Sequence, residues 1–166
     1  MRLLRCLFLS IVVVVAAGLA TGYVMLRGGI GTATEPGHAE AYVARRLRNF
    51  AIPSDTQALR NPFANDAAAW RPANPIFQEH CALCHDSDGR GRAKVGQRLY
   101  PRAPDMAAAA TQELTDGELY YIIRNGVRLT GMPGWSDLLN EEDSWRLVSF
   151  VRHLPRLTPE ELTSSP

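Results

Sequence analysis

Residues 81–85 read Cys-Ala-Leu-Cys-His, and this stretch decides the fold. Two thiols three positions apart, followed at once by an imidazole, have the spacing of a covalent haem attachment site. On one helical turn the thiols stand about one haem edge apart, so each reaches a vinyl group and the imidazole points at the iron. Two other chemistries use such a pair. A zinc site needs two more ligands at finger spacing, and the remaining supply is Cys6, inside an apolar run, with His38, His80 and His153. A redox dithiol belongs to a β-α-β pattern, which does not surround these residues. Haem is the leading reading; zinc and dithiol stand behind it.

The remaining chain then has to offer a ligand for the opposite face of the iron. Gly131-Met132-Pro133-Gly134-Trp135 lies in a segment that glycine and proline keep out of regular structure. A glycine-flanked loop lets backbone come close to a macrocycle, so Met132 is the favoured ligand, with Met/His ligation as the precedent. Met106 is the competitor. It opens an alanine-rich, helix-like run, and there a methionine is usually core filler.

These segments resemble the class I c-type cytochromes. Cys81 to His85 matches the attachment motif, and Asn125 to Trp135 (Asn-Gly-Val-Arg-Leu-Thr-Gly-Met-Pro-Gly-Trp) matches the family's methionine loop. In Leu99 to Met106, Pro104 stands where the family places a proline whose carbonyl accepts the proximal histidine's N–H. The resemblance covers about Trp70 to Leu157. It implies an all-α, cytochrome c-like fold of three principal helices around one covalently attached haem (heme c), its iron held by His85 and Met132. Phe77 falls where the family has an aromatic packed on the C-terminal helix. Ala73 stands where the family usually has glycine, a departure that loosens the expected close approach.

The 166 residues leave room for one ordinary domain with appendages, and a net charge of +1 argues against nucleic acid as a partner. Cys6 to Leu26 contains no charged residue and reaches roughly 31 Å as a helix, enough to cross a bilayer. Residues 1–27 are therefore expected to be a retained transmembrane helix. The rival is a signal peptide, with Arg2 and Arg5 as its basic start and Gly18-Leu19-Ala20 as a cleavage site. That rival leaves a soluble periplasmic domain. Arg2 and Arg5 favour an inside amino terminus, which Arg27 weakens. The resemblance puts the haem domain on the exported, periplasmic side.

Residues 28–69 read as a flexible stem holding one short helix over Ala39 to Phe50, with Arg45, Arg46 and Arg48 either solvated or meeting anionic headgroups or a partner. Residues 70–157 form the haem domain and 158–166 a frayed polar tail. Asn74-Pro75 reads as a cap and first helical residue, opening a helix that carries Ile76 and Phe77 inward and delivers the attachment motif in its last turn. Asp86 to Arg102 is a glycine-punctuated loop rich in cations, from which Tyr100 and Arg102 are the expected contacts to the haem propionates. Thr115 to Glu118 fits a capping box, and Leu119, Ile122 and Ile123 form an apolar stripe that Gly126 ends. Asn140 caps a last helix with core residues Trp145, Leu147, Val148, Phe150, Val151 and Leu154, ended by Pro155. His80 reads as an exposed neighbour of Cys81 or a modulator of the haem, and His153 as an ordinary partly exposed residue.

With both axial positions filled, the iron has no vacancy for substrate, and no nucleophile–base set is present. The sequence therefore predicts an electron carrier rather than an enzyme. Its partners would be a donor and an acceptor, membrane complexes of a respiratory or dehydrogenase type. The alternative is the haem subunit of a specific membrane-bound oxidoreductase complex, and a haem sensor or peroxidase would require Met132 to leave the iron.

Overall fold

The computed structural model describes residues 2–27, 29, 31, 32 and 34–163. Gly28, the first residue of the expected stem, and residues 164–166 of the tail lie outside this set. Every regular element among the described residues is a helix. Two compact units divide the chain, Met1–Gly31 and Thr32–Pro166.

The first unit is α1 (Arg2–Arg27). Its stretch Leu4–Val24 has a mean hydropathy of 2.3 and buries no side chain, so it is long and apolar enough to cross a membrane. Ser10 donates to the Cys6 carbonyl at 2.9 Å and Thr21 to the Ala17 carbonyl at 2.8 Å. Both hydroxyls are thus satisfied within the helix, as hydrocarbon surroundings demand.

The second unit holds α2 (His38–Ala51), α3 (Ser54–Gln57), α4 (Ala73–His80), α5 (Ala82–His85), α6 (Ala109–Gln112), α7 (Asp116–Asn125), α8 (Glu141–His153) and α9 (Pro159–Thr163). Its centre is α8, against which α4 and α7 both pack. All six core residues expected on this last helix and its exit are buried. Phe77 meets Phe150 with ring centroids 4.6 Å apart, and Tyr120 stacks on Trp145 at 4.1 Å. Ala73, the departure from glycine, is wholly buried beside them; its methyl group is accommodated.

Caps explain the boundaries. Thr115 accepts from the Glu118 N–H at 3.1 Å, and Glu118 accepts from the Thr115 N–H at 2.7 Å, which closes the capping box on α7. Asn140 accepts from the Asp143 N–H at 2.8 Å and starts α8. Arg152, near the end of α8, donates to Asp116 at 2.8 Å, to the Gln112 carbonyl at 2.7 Å and to the Leu114 carbonyl. One guanidinium therefore ties α8 to the end of α6 and the start of α7.

Three expectations need correction. Asn74 does not cap α4: the helix begins at Ala73 with Pro72 before it. Asn74 lies buried in the first turn, its amide near the Glu161 carbonyl at 3.4 Å. Nor does the tail fray at once after Thr158, because Pro159–Thr163 forms α9 and Glu161 meets His153 at 3.0 Å. The largest correction concerns the stem. Ile52, Asn61 and Ala69 are buried, Asn61 donates to Ser149 at 2.8 Å, and Thr115 donates to the Gln57 carbonyl at 3.1 Å. Gly117 sits so close to α3 that a Cβ there would lie 1.9 Å from the Thr56 oxygen. Residues 32–69 thus belong to the same compact unit as the expected haem domain.

Two outcomes are expected. Arg152→Ala should lower the unfolding free energy by about 1.5–3 kcal/mol, the range for hydrogen bonds from a charged group, in chemical denaturation. The Glu161 carboxyl is held below its usual range by the Thr158 N–H first and His153 second. A depressed folded value stabilises above the unfolded one and the benefit is lost on acidification. The stability advantage of the native protein over Glu161→Gln should therefore persist at neutral pH and vanish as pH falls through the carboxylate range.

Candidate haem site

The attachment motif does not ride on the last turn of α4. That helix ends at His80; Cys81 still donates to the Phe77 carbonyl at 2.9 Å with right-handed helical angles (φ −108°, ψ −35°), and Ala82–His85 makes the next turn, α5. The Cys81 carbonyl accepts the N–H groups of Cys84 (3.1 Å) and His85 (2.9 Å), so one oxygen organises the whole motif. Asp86 then reverses the chain at φ +66°, a backbone conformation that non-glycine residues rarely hold outside constrained sites.

Both motif cysteines are half-buried. Burial, with Cys84 adding to it, pushes the Cys81 thiol up to about 12. That is opposite in direction to the shift that makes one thiol of a redox pair reactive. Among the described residues no three His, Cys, Asp or Glu side chains gather as a metal-binding group. His85 is buried, and burial lowers its pKa. The Pro104 carbonyl lies near enough to pull it upward, yet Nδ1 makes no hydrogen bond of ordinary geometry and is one of two orphaned buried side-chain atoms among the described residues.

Glycines bring the following loop onto the motif. Gly91, at φ +69°, donates its N–H to the His85 carbonyl at 2.7 Å, and a Cβ on it would lie 2.4 Å from the Ala103 oxygen and 2.7 Å from that of Pro104. A Cβ on Gly96 would lie 1.9 Å from the Cys84 oxygen. Backbone therefore packs directly on backbone, and this is what sets Pro104 beside His85.

The methionine loop is pinned at both ends to α7. Gly126 donates to the Ile122 carbonyl at 2.9 Å, while Trp135 donates to those of Ile123 and Arg124, each at 3.1 Å. Within it, Val127 donates to the Met132 carbonyl at 3.1 Å and the Met132 N–H reaches Thr130 Oγ1 at 3.1 Å. Leu99 fills the space over Gly131. Met132 is half-buried and stands apart from the core cluster; Met106 packs against that cluster.

Tyr100 and Arg102 have carboxylate partners on the preceding segment. The Tyr100 hydroxyl donates to Glu40 at 2.6 Å and Arg102 to Glu35 at 2.5 Å. Arg102 Nε is the second orphaned atom. Neither carboxylate was legible as a partner, since both lie about sixty residues upstream. His80 is half-buried, its ring 5.2 Å from that of Trp135, so it joins the attachment segment to the methionine loop. His153 is stacked on Trp70 at 4.2 Å, a structural role the sequence did not signal.

These residues suit a covalently held haem: two thiols on one turn, a buried imidazole with an unsatisfied Nδ1, and a thioether on a pinned loop outside the core. Comparison with a known family agrees in kind. A sequence model of the family described as Cytochrome C oxidase, cbb3-type, subunit III matches residues 68–151. The cbb3-type cytochrome c oxidase subunit CcoP of Azospirillum brasilense is 31% identical over 97 residues, or 57% of this chain and 31% of that protein. The chain thus spans about a third of the curated relative it matches. Among solved structures, cytochrome CL from the marine methylotrophic bacterium Methylophaga aminisulfidivorans MPT has 18% identity and a TM-score of 0.46, covering 82% of this chain and 83% of that one.

Gly96→Ala should displace the 96–103 segment from Cys84 and cut covalent haem staining after denaturing electrophoresis several-fold. Gly37→Ala, with nothing within 4 Å, is the control and should stain normally.

Proposed function

The chain belongs to the cbb3-type cytochrome c oxidase subunit III family, and from that membership we propose a one-electron carrier with a single haem c ligated by His85 and Met132. A haem bound there supplies reversible one-electron chemistry at its iron, at a potential raised by the thioether ligand. The chain's own residues do the rest. Cys81 and Cys84 offer the two thiols for thioether bonds. The Pro104 carbonyl beside His85 would accept its Nδ1–H with the ring turned to the metal, fixing the tautomer that leaves the other nitrogen as ligand.

The observation that carries this reading is the contrast between the two methionines. Met106 is packed against the core, whereas Met132 is held away from it by a loop fastened at both ends to α7. A loop fixed in this way changes little when the charge at the metal changes, which favours electron transfer over ligand exchange. Arg102 is proposed to meet a propionate with the donor that its Glu35 contact leaves over, Nε; Tyr100, whose one hydroxyl hydrogen goes to Glu40, is proposed to do so by exchanging that partner for a propionate.

The working place is proposed as the exported face of a membrane, with α1 retained as the anchor. The partners are membrane-bound redox proteins, one giving and one taking the electron. The match to an oxidase subunit favours a second arrangement of the same chemistry, in which the chain is a fixed subunit of an oxidoreductase complex. Purification in mild detergent separates the two: a subunit keeps its partners at fixed stoichiometry, and a shuttle comes away alone.

Replacing both Cys81 and Cys84 by Ala should abolish covalent haem staining. Met132→Ala should remove the weak far-red sulfur-to-iron absorption of the ferric protein, lower the potential and open the iron to cyanide. Met106→Ala should do none of these, and the reverse result would transfer the ligand assignment to Met106.

A further inference from the structure

Helix α2 is built inside out. Val43, Leu47 and Phe50, spaced four and three apart, form one stripe, and all three are exposed, Phe50 at 88%. The half-buried residues of the helix are instead Ala41, Arg48 and Asn49, on the opposite side. The opposite side is held by Gln57, which donates to the Asn49 carbonyl at 3.1 Å, while Glu40, at the amino-terminal end of the stripe's own face, accepts from Tyr100 at 2.6 Å. A soluble helix turns its apolar stripe to the core; this one turns it away.

We propose that α2 lies in the headgroup region of the membrane that α1 spans, with Val43, Leu47 and Phe50 in the acyl boundary, Arg46 at anionic headgroups and Arg45 on the face turned away. Three observations select a bilayer as the occupant. Ten residues, 28–37, separate α1 from α2, a reach of at most about 35 Å, so the helix cannot leave the neighbourhood of the surface. The helix carries three arginines against one acid, Glu40, the charge that anionic lipid attracts. Arg46 lies over the Tyr42 ring at 5.3 Å on the flank of the stripe, and both side chains suit an interface that is apolar on one side and wet on the other.

Because Glu40 and Glu35 bind Tyr100 and Arg102, a helix seated in this way also orients the loop beside the haem site relative to the membrane. The proposal rests on retention of α1, which N-terminal sequencing of the native protein tests separately.

The experiment uses full-length holoprotein carrying Cys6→Ser, in nanodiscs of phosphatidylcholine with phosphatidylglycerol. A nitroxide is attached at Leu47→Cys, at Phe50→Cys or, for reference, at Arg45→Cys, and the haem spectrum verifies the fold. The ratio of collision rates with oxygen and with a water-soluble nickel chelate should be several-fold higher at 47 and 50 than at 45. It should fall toward the reference in discs of phosphatidylcholine alone. Equal ratios at all three positions overturn the proposal. So does shielding of 47 and 50 that arises only when other membrane proteins are co-reconstituted, since a protein would then be the occupant.

Discussion

The contact between Phe77 and Phe150, at 4.6 Å, is what the rest of the site depends on. Helix α4 has eight residues, too few to be stable alone in water, so its helicity comes from packing on α8. Ala73, Phe77 and Cys81 recur every fourth position and share one face. The first two are buried and Cys81 packs against the same cluster. Helix docking and placement of the first thiol are therefore one event. An aromatic pair adds about 0.5–1.5 kcal/mol beyond its buried area, and it is positioned to act on both.

From that fixed point the loop is laid down by backbone rather than by side chains. Gly91 and Gly96 admit the carbonyls of Ala103, Pro104 and Cys84 at distances no Cβ allows. Such contacts leave little freedom, because a displaced backbone oxygen moves its whole peptide. The methionine loop is governed differently, by hydrogen bonds at its two ends onto the close of α7. Leu129, near its tip, sits at φ +63° with its side chain 92% exposed. A leucine so placed gains nothing from burial, so the loop's end hydrogen bonds must hold it against its own backbone preference.

What the sequence made legible had local causes. The capping box at Thr115, the cap at Asn140 and the apolar period of α8 each reside within a few residues, and each stands as read. Asn74-Pro75 carried an equally local signal that failed. The helix extends back to Ala73, and the asparagine was recruited to the core by Glu161, 87 residues away. The same holds for Tyr100 and Arg102, whose carboxylate partners lie far upstream, and for His153 under Trp70. Pairings of this length leave no trace in spacing. The ligand reading of Met132 came from its glycine neighbours, and its separation from the core agrees with it without testing the bond to iron.

The stem is where composition misled most, and the consequence is mechanical. A flexible linker of about forty residues would let a domain wander roughly 35 Å root-mean-square, so that encounters with a partner follow from its effective concentration. Here the compact unit begins at Thr32, and Ile52, Asn61 and Ala69 are among its buried residues. The segment that composition marked as linker is instead built into the unit that carries the candidate site: Thr56 and Gln57 meet the start of α7, and Glu35 and Glu40 meet the loop beside the attachment motif. A reach set by about forty free residues therefore does not apply to this domain, because those residues are fixed by the same packing and hydrogen bonds that fix the site.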